Sequence, residues 1–341
     1  MTNLPKIGIV IPNYQRPDYL RLCVKSILKQ SYANFELVIV DDCSPNPLIR
    51  LYLTHLTHPK VKWHINKKSL GTSKNYALGV KLLSPGVEWV VIIDNDDYLD
   101  QNCLQEAVIA HRSHPHCQMI HLHQIWIDAA GKRTGDDNDY PTLESAEDFL
   151  MARCFGKQDI RSSAIFFNRK QYQKVGGYPL FPSGMATDPA FIFALTFDNE
   201  IMFAKKAKVY IRLHQGAESS TADNLLAKLN SIKQLSAYCA AVYDRHPITL
   251  SHRRQLVMDQ LEKYGQRLID ALLFRFSSQV QNWSSFKNVL KFCKKKTISI
   301  PFSFMMLAYG HRYFKKNLEQ WPLLKPFLQR MKKIHVHPHV S

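Results

Sequence analysis

In the first hundred residues of this 341-residue chain, short and almost unbroken apolar runs alternate with longer segments whose apolar side chains recur at helical spacing. That alternation limits the fold more than any other feature. Residues 7–11, 35–40 and 89–93 are apolar at nearly every position, as strands covered on both faces of a parallel sheet must be. Between the first two runs, residues 17–30 place Leu20, Cys23, Val24, Ile27 and Leu28 on one helical face. Strand, crossover helix and parallel strand make a βαβ unit, so the expected class is α/β, a mostly parallel sheet with flanking helices.

Ligands of such sheets bind beyond the carboxyl ends of the strands. Each run here is followed by polar residues: Pro12-Asn13-Tyr14-Gln15-Arg16-Pro17, Asp41-Asp42-Cys43-Ser44 and Asp94-Asn95-Asp96-Asp97. Asp94 and Asp96, two positions apart, offer the carboxylates that a hard Mg²⁺ or Mn²⁺ ion takes alongside diphosphate oxygens. Asp is also an ordinary turn residue, so either cluster alone leaves a ligand site and a simple turn both open. Their position after strands of one predicted sheet favours a shared ligand rim.

The strand pattern resumes at residues 163–168, followed by Gly176-Gly177, Thr187-Asp188, an apolar segment at 189–197 and a last strand at 209–213 ending at His214. Beyond Gly216 long helical patterns take over, at 225–243 and 256–276. The expected division is an α/β region that carries the ligand rim, residues 1–215, and a helical, basic region over 216–341. From Phe286 onward, 12 Lys or Arg face the single acidic residue Glu319, a net of +11. Lys287, Lys291, Lys294, Lys295 and Lys296 precede an apolar stretch at 298–309, followed by Arg312, Lys315, Lys316, Trp321 and Phe327. Such a segment either rests on anionic lipid or packs on the catalytic region with its lysines solvated.

The 45 Lys and Arg against 28 Asp and Glu give +17, which draws the protein toward something anionic. Nucleic acid is not the expected partner: the surplus sits mainly in the last third, no nucleic-acid motif is present, and the most ordered motifs are acidic. A nucleotidyltransferase would show a glycine-rich phosphate loop after the first strand, and residues 12–17 contain no glycine. A non-catalytic nucleic-acid- or lipid-binding protein is the remaining alternative. The seven cysteines are scattered without a Cys-x-x-Cys pair and read as reduced, structural thiols. No secretory signal is expected ahead of residues 7–11, and no apolar run reaches the roughly 18–20 residues of a membrane-spanning helix.

Four motifs in order resemble the inverting family 2 glycosyltransferases, whose catalytic domain has the GT-A fold: residues 9–17, residues 26–32 with 35–44, residues 66–77 (Asn-Lys-Lys-Ser-Leu-Gly-Thr-Ser-Lys-Asn-Tyr-Ala) and residues 93–97. The resemblance is close over about the first 110 residues and fainter to about 215. It implies that Pro12, Tyr14 and Arg16 border a nucleotide pocket. It implies that Asp41 or Asp42 hydrogen-bonds the base, usually uracil, and that Lys74 and Asn75 stand where relatives carry Arg-Asn near the nucleotide. Asp94 and Asp96 become the metal pair of a DXD motif, with Asn95 between them at the nucleotide-sugar and His214 near the metal or diphosphate. Asp188, after the Gly-Gly turn, takes the place of the base, although Thr187 replaces the usual Glu and Asp188-Pro189 reads equally as a helix cap. The implied partners are a UDP-sugar donor and a saccharide acceptor, lipid-diphosphate-linked as in bacterial surface-polysaccharide assembly. The implied place is the cytoplasm, at the inner face of the cell membrane.

Overall fold

The computed structural model describes residues 4–137, 139–214, 224–246, 252–279, 283–301 and 304–305. Among these residues ten strands form one sheet: β1 (Ile7–Asn13), β2 (Phe35–Asp41), β3 (Val61–Ile65), β4 (Trp89–Ile92), β5 (Tyr98–Leu99), β6 (Met119–Ile127), β7 (Arg133–Asp136), β8 (Leu143–Ser145), β9 (Ile165–Asn168) and β10 (Glu200–Arg212). The order is β3-β2-β1-β4-β9-β6-β10-β5, with β7 beside β6 and β8 beside β10. β1 to β4 run parallel, β9 runs antiparallel between β4 and β6, and β6 pairs parallel with β10. The mostly parallel α/β expectation holds.

Every residue of β1 and β2 is buried, and each fully buried Val, Ile or Leu contributes about 1.5–3 kcal/mol. Helix α1 (Pro17–Leu28) covers them with Leu20, Cys23, Val24 and Ile27, the stripe predicted from spacing. Helix α2 (Pro47–His55) follows β2, and α3 (Thr72–Leu82) lies so close to β1 that a Cβ on Gly79 would overlap Val10 Cγ1. Registers fix the rim. Asn13 stands opposite Asp41, whereas β4 stops at Ile92 opposite Val10, so the chain from Ile93 onward turns across the end of β1.

Two strands differ from the sequence reading. β10 has 13 residues, not the five expected, because Lys205, Lys206 and Lys208 interrupt its apolar run where the ladder with β6 shifts register. β6 is buried at all nine positions yet carries His121, His123 and Gln124. Gln124 is fully satisfied: its amide donates to Asp137 at 2.9 Å and to the Asp159 carbonyl at 2.7 Å, and its Oε1 accepts from Arg161 N at 2.8 Å. Buried polar groups are tolerated when so paired.

Helices α4 (Cys103–Ser113), α5 (Ala146–Cys154), α6 (Arg169–Lys174) and α7 (Thr187–Thr196) complete the sheet's cover. Beyond residue 216 come α8 (Leu225–Asp244), α9 (His252–Gln279) and α10 (Trp283–Lys295). The described residues of this region are largely helical and share one core with the sheet: side chains of all three helices join the hydrophobic cluster that contains β1. Polar ties cross as well, with Ser231 bonded to Ser183 N at 2.9 Å and Tyr243 to Glu147 at 2.7 Å. On α10, Phe286, Val289 and Cys293 face the core while Lys287, Lys291, Lys294 and Lys295 are exposed. Its apolar face is therefore used internally. Among the described residues no helix is long and apolar enough to cross a membrane. Arg312, Lys315, Lys316, Trp321, Phe327 and half of the apolar stretch at 298–309 lie outside the described residues.

Candidate active site

The ends of β2, β1 and β4 form one bank of a cleft of about 740 Å³. Three hundred to a thousand cubic ångströms is the usual size of a small-ligand site. Asp41, paired across the register with Asn13, accepts from Asn13 Nδ2 at 2.6 Å and from Ser44 N at 2.9 Å. It is buried and does not line the cleft. Asp42 does. Its two oxygens accept from Asn66 Nδ2 (2.9 Å), Ser69 Oγ (2.7 Å), Leu70 N (2.7 Å) and Gly71 N (3.0 Å), which fixes the loop before α3. Asn75 bridges this loop to the sheet through Val40 O at 2.9 Å. Lys74, one residue earlier, is exposed and does not line the cleft; the helical turn points the two neighbours in different directions.

Pro12, Tyr14 and Arg16 border the cleft as expected, Tyr14 with half of its surface open to solvent. Gln15 and Arg16 hold left-handed backbone at φ 62° and 60°, an uncommon state for residues with side chains that marks a bend imposed by the surroundings. Asn95 supplies part of that imposition by donating to Asn13 Oδ1 at 2.7 Å and Gln15 O at 3.2 Å.

Within the acidic turn the four residues have different tasks. Asp97 accepts from Ser163 Oγ (2.6 Å) and Arg212 N (2.8 Å), and burial, then Asp96 and Asp94, push its carboxyl well above the usual carboxylate range. It supports the turn. Asp94 accepts from the Tyr76 hydroxyl and from Ser162 Oγ (2.8 Å), and burial followed by repulsion from Asp96 raises it to about 7. Asp96 Oδ2 receives Arg16 Nη1 at 2.7 Å and lies 2.8 Å from His214 Nε2, two residues past β10.

The opposite bank is built from β9, α5, α7 and α8. Gly177, at φ 88°, turns the chain so that Tyr178 reaches Asp188 Oδ1 at 2.9 Å, while Ser162 N donates to Asp188 Oδ2 at 3.2 Å. Burial raises the Asp188 carboxyl above its ordinary value against the opposing pull of the Tyr178 hydrogen bond and of Arg161 and Arg153. Ser162 thereby touches both Asp94 and Asp188, and Tyr76 and Tyr178, the hydroxyl partners of these two carboxylates, pack 5.1 Å apart. The capping alternative for Asp188 is corrected: Ala186, at φ 64°, is the cap residue, Thr187 opens α7, and the Asp188 carboxylate bonds to Tyr178 and Ser162.

This geometry has relatives. The model of glycosyl transferase family 2 matches residues 8–168. Residues 8–168 form a family 2 glycosyltransferase domain. Its sequence is similar to a putative colanic acid biosynthesis glycosyl transferase of Escherichia coli (strain K12), 34% identical over 115 residues, 33% of this chain and 39% of the relative. It is also similar to a poly(ribitol-phosphate) beta-N-acetylglucosaminyltransferase, TarS, of Staphylococcus aureus, 28% identical over 107 residues, 30% of this chain and 18% of the relative. The chain thus spans well under half the length of these relatives. The crystal structure of S. aureus TarS 1-349 in complex with UDP-GlcNAc superposes with a TM-score of 0.54 over 90% of this chain and 91% of that one, at 17% identity. The family 2 domain therefore has the GT-A fold, and the likeness of fold continues into the helices beyond it.

Among the described residues no group of three or more His, Cys, Asp or Glu gathers that would hold a metal unaided. Asp96 gives one hard carboxylate donor and His214 an imidazole nitrogen 2.8 Å from it, a set that suits an ion taking its remaining ligands from a diphosphate. The Asp94 carboxylate accepts instead from Tyr76 and Ser162. Sequence reasoning missed Tyr76, Ser162, Tyr178, Arg153, Arg161 and Lys228, all of which line the cleft. Tyr76 lies inside the motif at 66–77 and Lys228 inside the helical pattern at 225–243; the others stand in segments without a motif.

Proposed function

We propose that the chain transfers a hexose or N-acetylhexosamine from a UDP-sugar to a saccharide hydroxyl, with inversion, in the assembly of a bacterial surface polysaccharide. The observation that carries the reading is Asp188, a carboxylate held by Tyr178 and Ser162 in the same cleft as the strand-end bank that the family's nucleotide motifs build. The names of the relatives, a colanic acid biosynthesis enzyme and a poly(ribitol-phosphate) N-acetylglucosaminyltransferase, support the polysaccharide setting. The UDP-GlcNAc complex of TarS supports the donor class.

Tyr14 and Asp42 border the nucleotide. Of the two candidate aspartates Asp42 is the one that lines the cleft, so the contact to uracil belongs to it. Asp188 takes the proton of the acceptor hydroxyl as the oxygen bonds to the anomeric carbon, and UDP departs from the opposite face with the electrons of the broken bond. A carboxyl raised by burial is the stronger base for this step. Asp96 and His214 would hold a Mn²⁺ or Mg²⁺ ion, which when bound neutralises charge on the leaving diphosphate. Arg16, on the same carboxylate oxygen, adds positive charge there.

The acceptor is a lipid-diphosphate-linked sugar met at the cytoplasmic face of the membrane. The exposed Lys287, Lys291, Lys294, Lys295 and Lys296 support contact with anionic lipid, and because the apolar side of α10 is buried that contact is electrostatic. Equal sedimentation with neutral and phosphatidylglycerol vesicles would remove it. The reading as a whole is tested by a panel of UDP-sugars with and without Mn²⁺: metal-dependent release of UDP from at least one is expected, and a silent panel with no UDP binding would sink it.

A further inference from the structure

Two carboxylates that line the cleft, one on each bank, are held at both of their oxygens, and the holds close into a ring. Asp94 accepts from the Tyr76 hydroxyl on one oxygen and from Ser162 Oγ, at 2.8 Å, on the other. Asp188 accepts from the Tyr178 hydroxyl at 2.9 Å on one oxygen and from Ser162 N at 3.2 Å on the other. The Tyr76 and Tyr178 rings, 5.1 Å apart, complete the circuit. Asp94 belongs to the strand-end bank and Asp188 to the opposite one, so the ring crosses the cleft. It crosses by hydrogen bonds at Ser162, which gives its hydroxyl to one bank and its amide to the other.

This crossing is stiff. Ser162 opens a single 3-10 turn, Ser162–Ala164, in which Ala164 N donates to Arg161 O at 2.9 Å, and Gln124 of β6 takes Arg161 N at 2.8 Å. The next residue, Ser163, has no surface open to solvent; it accepts from Asp94 N at 2.9 Å and donates to Asp97 at 2.6 Å. Two consecutive serines thus grip the acidic turn at three points while the first also carries Asp188. The amide and hydroxyl of one serine are separated only by covalent bonds and the χ1 rotor, which settles into staggered wells. A link of that kind fixes the separation of two banks more tightly than a contact between two long side chains.

Such a separation matters to an inverting displacement. The base and the departing diphosphate act on opposite faces of one carbon, and a misplacement of about 1 Å can cost on the order of 10²-fold in rate. We propose that Ser162 is a positioning residue: it sets the distance between Asp188 and the acidic turn, and so aligns the base with the leaving group. This rests on the glycosyl-transfer reading above. Because Tyr14, Asp96 and His214 keep their own partners, loss of the serine hydroxyl lowers turnover and leaves donor affinity untouched.

The test follows release of UDP by the full chain with Mn²⁺, from whichever UDP-sugar of the panel is turned over fastest, with water as acceptor. Ser162→Ala removes the hydroxyl and keeps the amide bond to Asp188. Its kcat should fall on the order of tenfold, with donor KM and calorimetric UDP affinity within about twofold of the parent. Ser162→Thr, which restores a hydroxyl, should recover most of the loss. The decisive comparison is a double-mutant cycle: in an Asp188→Asn background, with no base to align, Ser162→Ala should cost no more than about twofold. Equal losses in both backgrounds would mean that the serine only supports the fold, and would overturn the proposal. So would a parental kcat in Ser162→Ala, or a loss confined to KM. Should Ser162→Ala not fold, Ser162→Cys, with its weak thiol donor, carries the same cycle. Asp188→Asn turning over as fast as the parent would overturn the proposal through the base itself. A parent that releases no UDP from any of the sugars removes the proposal, and if it also fails to bind UDP the glycosyl-transfer reading goes with it.

Discussion

The two banks of the cleft are built in opposite ways. The strand-end bank takes most of its groups from the ends of β1, β2 and β4 and the residues just after them, three strands adjacent in the sheet, with Asn75 and Tyr76 added by α3 and His214 by the end of β10. The opposite bank draws Arg153 from α5, Ser162 from the turn before β9, Tyr178 and Asp188 from either side of a loop, and Lys228 from α8. The first bank is a property of local sequence on a parallel sheet. The second exists only once segments far apart in the chain have packed, and it needs buried connectors such as Gln124 to hold it.

Substitutions on the two banks test that contrast. The largest effect is expected from Asp188→Asn, which should cut kcat on the order of 10³-fold while leaving UDP binding intact; near-normal turnover would return Asp188 to a structural role. Asp96→Asn removes the carboxylate shared by Arg16 and His214 and should lower kcat/KM on the order of 10²-fold at fixed Mn²⁺, partly restored by more metal. A metal response identical to that of the parent would break the assignment.

Tyr178→Phe should cost about tenfold at neutral pH. Its hydroxyl lowers the Asp188 pKa, so removing it raises that pKa further. A base acts only when deprotonated, and activity is lost as pH falls through its pKa; the acid limb of the rate profile should therefore move to higher pH in the variant. An unmoved limb would detach Asp188 from the profile. The smallest effect belongs to Lys74→Ala: an exposed residue outside the cleft should change donor KM by no more than about twofold. A large rise in KM would return Lys74 to the nucleotide site that its motif implies.

The strands 7–11, 35–40 and 89–93 were legible because burial on both faces demands continuous apolar sequence, and β1, β2 and β4 follow them to within two residues. β6 escaped because His121, His123 and Gln124 break that pattern, and the partners that satisfy Gln124, Asp137 and Asp159, are brought in from elsewhere in the chain. The paired carboxylates were legible as a cluster. Their division of labour was not: hydrogen bonds from Tyr76, Ser162 and Ser163 set Asp94 and Asp97 apart from Asp96, and all three come from distant segments.

The positions of β1, β2 and β4, the helix stripe on α1 and the polar rim after these strands were thus determined by the sequence itself, since periodicity and strand-end position are local properties. Which aspartate faces the cleft, which lysine does not, and that three cations converge beside Asp188 were decided only by the tertiary structure. Those facts depend on the distance between groups tens to more than a hundred residues apart, and electrostatics and hydrogen bonding act through that distance and not through the chain.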